Sequence, residues 1–550
     1  MSTARPPSPH HLGDFETTPR VLFVAALAVP IGALSAGVAW CLLRLIGLIT
    51  NAVFYQRLGT ALVAPGEGHH SPLLILLAPV CGGLVIGLMA RFGSEKIRGH
   101  GIPEAIESIL ISGSRVQPRV ALLKPLASAV AIGTGGPFGA EGPIIMTGGA
   151  LGSIWAQLLH LTADERKTLL AAGAAAGMAA TFNAPLASVL LAVELLLFEW
   201  RPRSFVPVVA AVAVATVVRV PMLGSGALFP APSGALHLDA AAYGLCVASG
   251  IVAGLLALAA TTLVYLSEDT FQRLPVHWMW WPAIGGLVVG IGGLIVPQAL
   301  GVGYNVIEAE LDGSIGLNLI VGILVVKTAI WSLSLGSGTS GGVLAPMLMV
   351  GGALGGLEAA VFPPVAPGFW PLVGLAGVLG GVMRSPLTGV VFAIELTHRY
   401  EALLPLLIGA TGAYVVSILV LRRSVLTEKI ARRGLHLTRE YSIDPLEVLF
   451  VAEVMGEPDR AATAPPASDG TVAHPDDTLR HVAYLMAERG TTRLPVVRRD
   501  DHGEVVGSVT LEQLLQGRLK DLEEERRSER VLSPRQLIGI GSGEDVTRDP

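Results

Sequence analysis

Charge is scarce in this chain. Lys, Arg, Asp and Glu make up 15% of its 550 residues, where a soluble protein carries about a quarter. The scarcity is uneven: 34 of the 81 charged residues fall in residues 441–550, which leaves roughly one in nine over the first 440. That level suits lipid better than water and argues against an ordinary soluble globule. Cysteine is nearly missing too. Cys41, Cys81 and Cys246 lie inside apolar stretches with no ligand spacing, which excludes a disulfide framework or a zinc site and predicts three small buried hydrophobic residues. There is no basic excess: the net charge is −5, so no nucleic-acid or polyanion footprint exists. No His-x-x-x-His pair with an acid between is present, and His10-His11 and His69-His70 sit in polar stretches, solvated rather than ligating. The run Gly336-Ser-Gly-Thr-Ser-Gly-Gly342 lacks the Lys-Ser/Thr of a phosphate loop. With no nucleophile–base pair or metal set at membrane depth, neither an intramembrane enzyme nor a resident metal or cofactor is expected.

What the chain does have is apolar length, glycine and proline. Half of it (51%) is hydrophobic, with 66 Gly and 37 Pro. Apolar stretches succeed one another from residue 21 to 421, against about 20 residues for one membrane crossing. Several are much longer, or are interrupted by Gly and Pro, as at 132–143 and 336–346. Broken and partly spanning helices look like this; hairpins of uniform helices do not. The first 20 residues are polar, and the apolar stretch after them is too long for a signal-peptide core, so no cleaved signal is expected. Arg422, Arg423, Lys429, Arg432 and Arg433 follow the last apolar stretch against a single acid, Glu428. By the positive-inside rule the C-terminus is cytoplasmic, in a multi-pass protein of the bacterial inner (plasma) membrane.

An internal repeat organises the apolar part. Met146-Thr-Gly-Gly-Ala-Leu-Gly152 recurs as Met349-Val-Gly-Gly-Ala-Leu-Gly355, 203 residues on, and Pro143 and Pro346 share that spacing. Ala184-Pro-Leu-Ala-Ser-Val-Leu-Leu-Ala-Val-Glu-Leu195 recurs as Ser385-Pro-Leu-Thr-Gly-Val-Val-Phe-Ala-Ile-Glu-Leu396, 201 residues on. A two-fold repeat with interrupted helices in each half is the pattern of transporters that bind solute near the bilayer midplane.

Three segments share one design, glycines then Pro then a helical apolar run: Gly101-Ile-Pro103, Gly139-Ala-Glu-Gly-Pro143 and Gly342-Val-Leu-Ala-Pro346. Pro suits a first helical turn, and glycines before it let the free N–H groups converge on a small ligand. Three helix N-termini, each with about half a positive charge, would bind an anion in the membrane without a full Lys or Arg. A cation site would gather carboxylates, and there are too few. The isolated acid Glu141 is costly at membrane depth, about 2.5–3.5 kcal/mol on insertion scales. No Lys or Arg lies between Lys124 and Arg166 to neutralise it.

Gly99-His-Gly-Ile-Pro-Glu104, Gly139-Ala-Glu-Gly-Pro143, Asn183-Ala-Pro-Leu-Ala187 and Gly342-Val-Leu-Ala-Pro346 resemble, in order, the signature segments of the CLC family of chloride channels and chloride/proton exchangers, over residues 20–435. The resemblance implies an all-α, polytopic, inverted-repeat fold of about eighteen tilted helices, a homodimer, and a separate anion pathway in each subunit. It implies that Glu141 is the gating glutamate, whose carboxylate competes with the anion and leaves on protonation. It also implies anion contacts at His100, Gly101, Ile102 and Pro103, at Gly139, Ala140, Gly142 and Pro143, at Val343, Leu344 and Ala345, and around Leu426.

The chain departs from the family pattern at three of these places and at Leu195. His100 stands for a Ser whose hydroxyl helps hold the central anion, and Leu344 for a Phe. The late Tyr that donates a second hydroxyl falls at Leu426. The inner proton-transfer glutamate of the exchangers falls at Leu195, directly after Glu194, and a leucine carries no proton. Unless Glu194 or Glu199 substitutes, the expectation is passive, channel-like flow of chloride gated by Glu141. The alternatives are a proton-coupled exchanger with another proton route, a variant selective for nitrate, bicarbonate or fluoride, or a membrane sensor with an anion-binding site.

The domain boundaries expected are a polar segment 1–20, a membrane domain 21–435 with halves 21–222 and 240–421, a linker 436–470, a small α/β cytoplasmic domain 471–535, and a tail 536–550. The linker contains a flexible Ala/Pro/Ser run at 461–470. In the small domain a helical pattern over 477–489 precedes strands at 494–497 and 505–509 and a charged helix from Leu511 to about Arg530. Arg493-Leu-Pro-Val-Val497 and Gly507-Ser-Val-Thr510 resemble a CBS regulatory module. Such modules work in pairs, so the partner is a degenerate copy within 444–470 or the second subunit. Many bind adenine nucleotides with an acid where this chain has Gln513, so a structural or dimer-stabilising role is expected here rather than nucleotide binding.

Overall fold

The computed structural model describes residues 18–110, 113–232, 236–432, 446, 449–456, 471–499 and 505–526. The chain start to residue 17, most of the 436–470 linker, the end of the last helix beyond Arg526 and the 536–550 tail lie outside the described residues. The described residues belong to two compact units, one within 17–439 and one within 440–550.

In the larger unit, seven helices among the described residues are long and apolar enough to cross a membrane: Arg20–Phe54, Pro72–Phe92, Pro202–Leu223, Ala240–Gln272, Trp278–Ile295, Leu317–Gly336 and Tyr400–Val420. The first, at 35 residues, is about 50 Å long at 1.5 Å per residue, so it tilts across or projects from a hydrocarbon layer about 30 Å thick. Four apolar helices are shorter: Pro185–Leu197, Leu344–Glu358, Phe369–Met383 and Pro386–Thr397. This is the mixture of full and partial spans that the interrupted apolar stretches predict.

Local sequence sets where these helices begin and end. Pro72, Pro118, Pro185, Pro202 and Pro386 each occupy a first turn, where the missing N–H is no loss. Thr162 and Glu165 cap Ala163–Phe182 reciprocally. The two repeats end corresponding helices alike: Asn183 (φ 56°) and Arg384 (φ 54°) each take the left-handed conformation just before Ala184-Pro185 and Ser385-Pro386. They also pack alike. A Cβ on Gly148 or Gly173 would overlap the other's carbonyl, and the same holds for Gly351 and Gly374. Small residues let helix backbones touch where lipid supplies no hydrophobic drive, which accounts for part of the glycine excess.

The cysteine expectation is corrected. Cys246 is buried, but Cys41 and Cys81 are exposed. Lipid tails are as apolar as a protein core, so an apolar neighbourhood in sequence does not imply burial against protein.

The smaller unit is α/β. Strands β1 (Arg493–Val497) and β2 (Val505–Thr510) pair antiparallel, with Arg493 opposite Thr510 and a register shift at Val496/Val497. Helix Leu479–Arg489 begins at Thr478, whose hydroxyl caps it, and ends at Gly490 in the left-handed conformation. Its Leu479, Val482 and Met486 pack with Leu494, Val496 and Val509 in a separate core.

Candidate functional site

The three glycine-led helix starts meet. Gly342 N–H donates to Gly139 O at 2.9 Å and Gly139 N–H to Gly342 O at 3.5 Å, so the second and third segments pair as a short antiparallel bridge. Gly99 N–H donates to Thr339 O at 3.2 Å, and the Ser128 and Ser340 hydroxyls are 2.8 Å apart. A Cβ on Gly142 would overlap the His100 carbonyl, and one on Gly101 would run into the Gly142 carbonyl. Glycine is required here because backbones touch backbones. Residues 100–103, 139–143 and 343–345 are all buried.

Glu141 is the first residue of Glu141–Gln157 and is 0% exposed. Its Oε1 accepts the Ala345 N–H at 3.2 Å, and its carboxylate fills the space where a Cβ of Gly139 or Gly342 would go. A carboxylate thus sits between two helix starts and accepts an N–H of one of them. Its Oε2 has no hydrogen-bond partner among the described residues. Lys327, from the second repeat, and Tyr304 interact with it electrostatically. Sequence reading missed Lys327 because it looked only at flanking residues; the fold brings in a lysine 186 positions away.

Two fully buried lysines that the sequence reading did not single out stand beside these helix starts, each bonded to backbone carbonyls. Lys124 Nζ donates to Ile97 O at 2.8 Å and Gly99 O at 2.6 Å. Lys327 Nζ donates to Ala299 O at 2.9 Å and Gly301 O at 2.7 Å. The lysines are 203 residues apart and the glycines 202, so this is the internal repeat again. Each brace holds a Gly-x-Gly turn with positive φ at both glycines: Gly99 (82°) and Gly101 (89°), Gly301 (67°) and Gly303 (87°).

Not every expected anion contact keeps a free donor. Gly101 N–H donates to Glu104 Oε2 at 3.0 Å, and Glu104 Oε1 accepts from Lys429 at 2.5 Å. With Gly139 N–H bonded to Gly342 O, two of the glycines shape the site more than they donate to it. His100 lines a cavity of about 500 Å³ with Glu104, Tyr265 and Lys429. His100 is 4% exposed, and its Nδ1 has no hydrogen-bond partner among the described residues. Leu344 and Leu426 are fully buried, and Leu426 brings no polar group. Tyr265 reaches the same segment, but its hydroxyl donates to Val425 O at 2.5 Å.

Leu195 is fully buried, within the π-helical turn Ala192–Leu197. Beside it, Glu194 Oε2 accepts from Thr388 N–H at 3.1 Å and Thr388 Oγ1 at 2.5 Å. Its repeat mate Glu395 accepts from Leu186 N–H at 3.0 Å and Ala187 N–H at 2.8 Å. Each repeat therefore caps a helix start of the other with a carboxylate. Glu199 accepts from Ser204 and pairs with Arg203 at 3.6 Å. In the small unit Gln513 Oε1 accepts the Thr510 N–H at 2.8 Å while the Thr510 hydroxyl accepts the Gln513 N–H at 3.3 Å. Gln513 thus closes a capping box.

This geometry can be set beside known proteins. The model of the voltage gated chloride channel family matches residues 82–418. The H(+)/Cl(−) exchange transporter ClcA of Salmonella arizonae is 32% identical over 425 residues, which cover 72% of this chain and 85% of that one. The chain belongs to the CLC family. Its fold is similar to that of a slow cyanobacterial Cl−/H+ antiporter, with a TM-score of 0.64 at 22% identity, covering 76% of this chain and 99% of that one. It is also similar to a CLC-type fluoride/proton antiporter, with a TM-score of 0.62 at 19% identity, covering 73% and 97%. The CBS domain model matches residues 463–520. Three of the four CLC segments quoted from the sequence, the glycine turns at 99–104, 139–143 and 342–346, meet around Glu141, and the fourth, Asn183-Ala-Pro-Leu-Ala187, starts the helix that Glu395 caps.

Proposed function

We propose that this CLC protein is a homodimer of the bacterial inner membrane, with a cytoplasmic C-terminus. In each subunit chloride or another small anion passes between the three glycine turns, past Glu141 as the gate. The observation that carries this reading is the Glu141 carboxylate on the Ala345 N–H, in the position of a competing anion. Backbone N–H groups and the His100 ring are the anion's donors. The cavity beside His100, with Lys429 in its wall, is the cytoplasmic approach.

Flow is passive in this reading. Leu195 offers no proton acceptor, and Glu194 and Glu199 are each engaged with partners. A specific observation favours a second reading, proton-coupled exchange: the similar ClcA protein is named an H(+)/Cl(−) exchanger. The tail module acts by pairing across the dimer rather than by binding a nucleotide. Gln513 is used locally, and Leu511, Leu515 and Leu519 form an exposed apolar stripe with helical spacing.

Reconstituted protein under a chloride gradient, with external chloride and pH recorded together, tests the reading. Chloride flux without uphill proton movement is expected. Sustained proton pumping against its gradient would overturn passive flow, and tight anion binding with no flux would leave a sensor.

A further inference from the structure

Two buried polar groups near the gate lack a partner among the described residues. The Tyr304 hydroxyl and Glu141 Oε2 are both shielded from solvent and make no hydrogen bond among the described residues. One is a donor, the other an acceptor, and they are close enough to interact electrostatically. A buried hydroxyl left unpaired is costly, so such a group usually has a partner in some state of the protein.

Tyr304 is also held firmly in place. Its ring meets Phe229 at 5.5 Å and Phe182 at 6.4 Å, edge to face in both cases. The Gly301-Val-Gly303 turn ahead of it is braced by Lys327, and Gly301 N–H donates to Gly135 O at 3.0 Å, six residues before the gate. Tyr304 opens helix Tyr304–Asp312, and together with this turn it lines a cavity of about 190 Å³. A fixed donor within electrostatic range of the Glu141 carboxylate can serve as a stop for it.

We propose that the Tyr304 hydroxyl is the positioning donor that receives the Glu141 side chain when it leaves the Ala345 N–H. The proposal rests on the reading of Glu141 as the gate. Leaving the pocket removes one hydrogen bond from the carboxyl group, and Tyr304 restores one. The vacated position is thereby stabilised, and the pathway stays open longer. A protonated Glu141 is received too, by a weaker hydrogen bond, since its carbonyl oxygen still accepts. The titratable groups facing Glu141 are Tyr304 and Lys327, and Lys327 in turn interacts with Glu310.

The test is Tyr304→Phe, which removes one oxygen and keeps the ring packing, measured by chloride efflux from liposomes across a pH series. It is made in two backgrounds, the parent and Glu141→Ala. In the parent, flux at neutral pH should fall about tenfold, the scale of one hydrogen bond to a charged or polar carboxyl, and the pH profile should move to more acidic values. In Glu141→Ala the same substitution should change nothing, because the group that Tyr304 receives is gone. Unchanged flux and profile in the parent would overturn the proposal. An equal loss in both backgrounds would overturn it too, since Tyr304 would then touch the anion or serve the fold. If Glu141→Ala alone keeps the parent's flux and pH dependence, the gate reading fails, and this proposal with it.

Discussion

Replacing Glu141 by Gln is the sharpest test of the gate proposed for it. The charged side chain is held by the Ala345 N–H at 3.2 Å, a charge-assisted hydrogen bond of about 1.5–3 kcal/mol. The starts of Glu141–Gln157 and Leu344–Glu358 add about 0.3–1 kcal/mol each for a negative charge at a helix N-terminus. An amide keeps only a neutral hydrogen bond of about 0.5–1.5 kcal/mol and little of the dipole term. The difference, about 2–3 kcal/mol, shifts the ratio of occupied to vacated pocket by about 30- to 150-fold. Glu141 is 0% exposed, so no discount for solvent screening applies. The sign with pH follows directly. A proton neutralises the carboxylate and weakens its hold, so parent flux rises as pH falls, while the Gln variant is open and flat across the range. Chloride efflux from liposomes between acidic and neutral pH measures both. A Gln variant that retains the parent's slope with pH would refute the reasoning, whatever its absolute rate.

Three further outcomes are expected. Glu395→Gln exchanges one acceptor oxygen for a donor facing the Leu186 and Ala187 N–H groups, costing about 2–4 kcal/mol, so its thermal transition in detergent should fall clearly below the parent's; an unchanged transition would show that the cap contributes nothing. Gly148→Val would drive a side chain into the Gly173 carbonyl and should yield no monodisperse protein by gel filtration, whereas Gly37→Ala, with nothing within 4 Å of the new Cβ, should behave as the parent. A chain carrying Leu515→Cys, with Cys41 and Cys81 changed to Ser, should cross-link between subunits in oxidised membranes if the tails pair across the dimer; monomer alone would argue against that pairing.

Much of the architecture was legible in sequence because it rests on local rules. Pro in a first helical turn, glycine where backbones touch and apolar length against bilayer thickness are read from short windows. The internal repeat was legible for the same reason, since both halves repeat one set of turn and packing solutions. The small α/β unit was legible from its alternation of a helix pattern with two short strands. The glutamates at 194 and 395 were visible as repeat mates, but not their use: each caps a helix start in the opposite repeat, a contact spanning about 200 residues.

The sequence by itself determined that this is a polytopic membrane protein with a two-fold repeat, broken helices and a small α/β module, because membrane solvation and backbone geometry act within single segments. Only the tertiary structure decided which groups share the space around Glu141. Lys327 and Tyr304 reach it from the other repeat, and the Gly101 N–H is taken by Glu104. It also decided that Cys41 and Cys81 point outward. Electrostatic and hydrogen-bond partners are set by distance in space, and in a fold that interleaves its two halves, that distance has little to do with position along the chain.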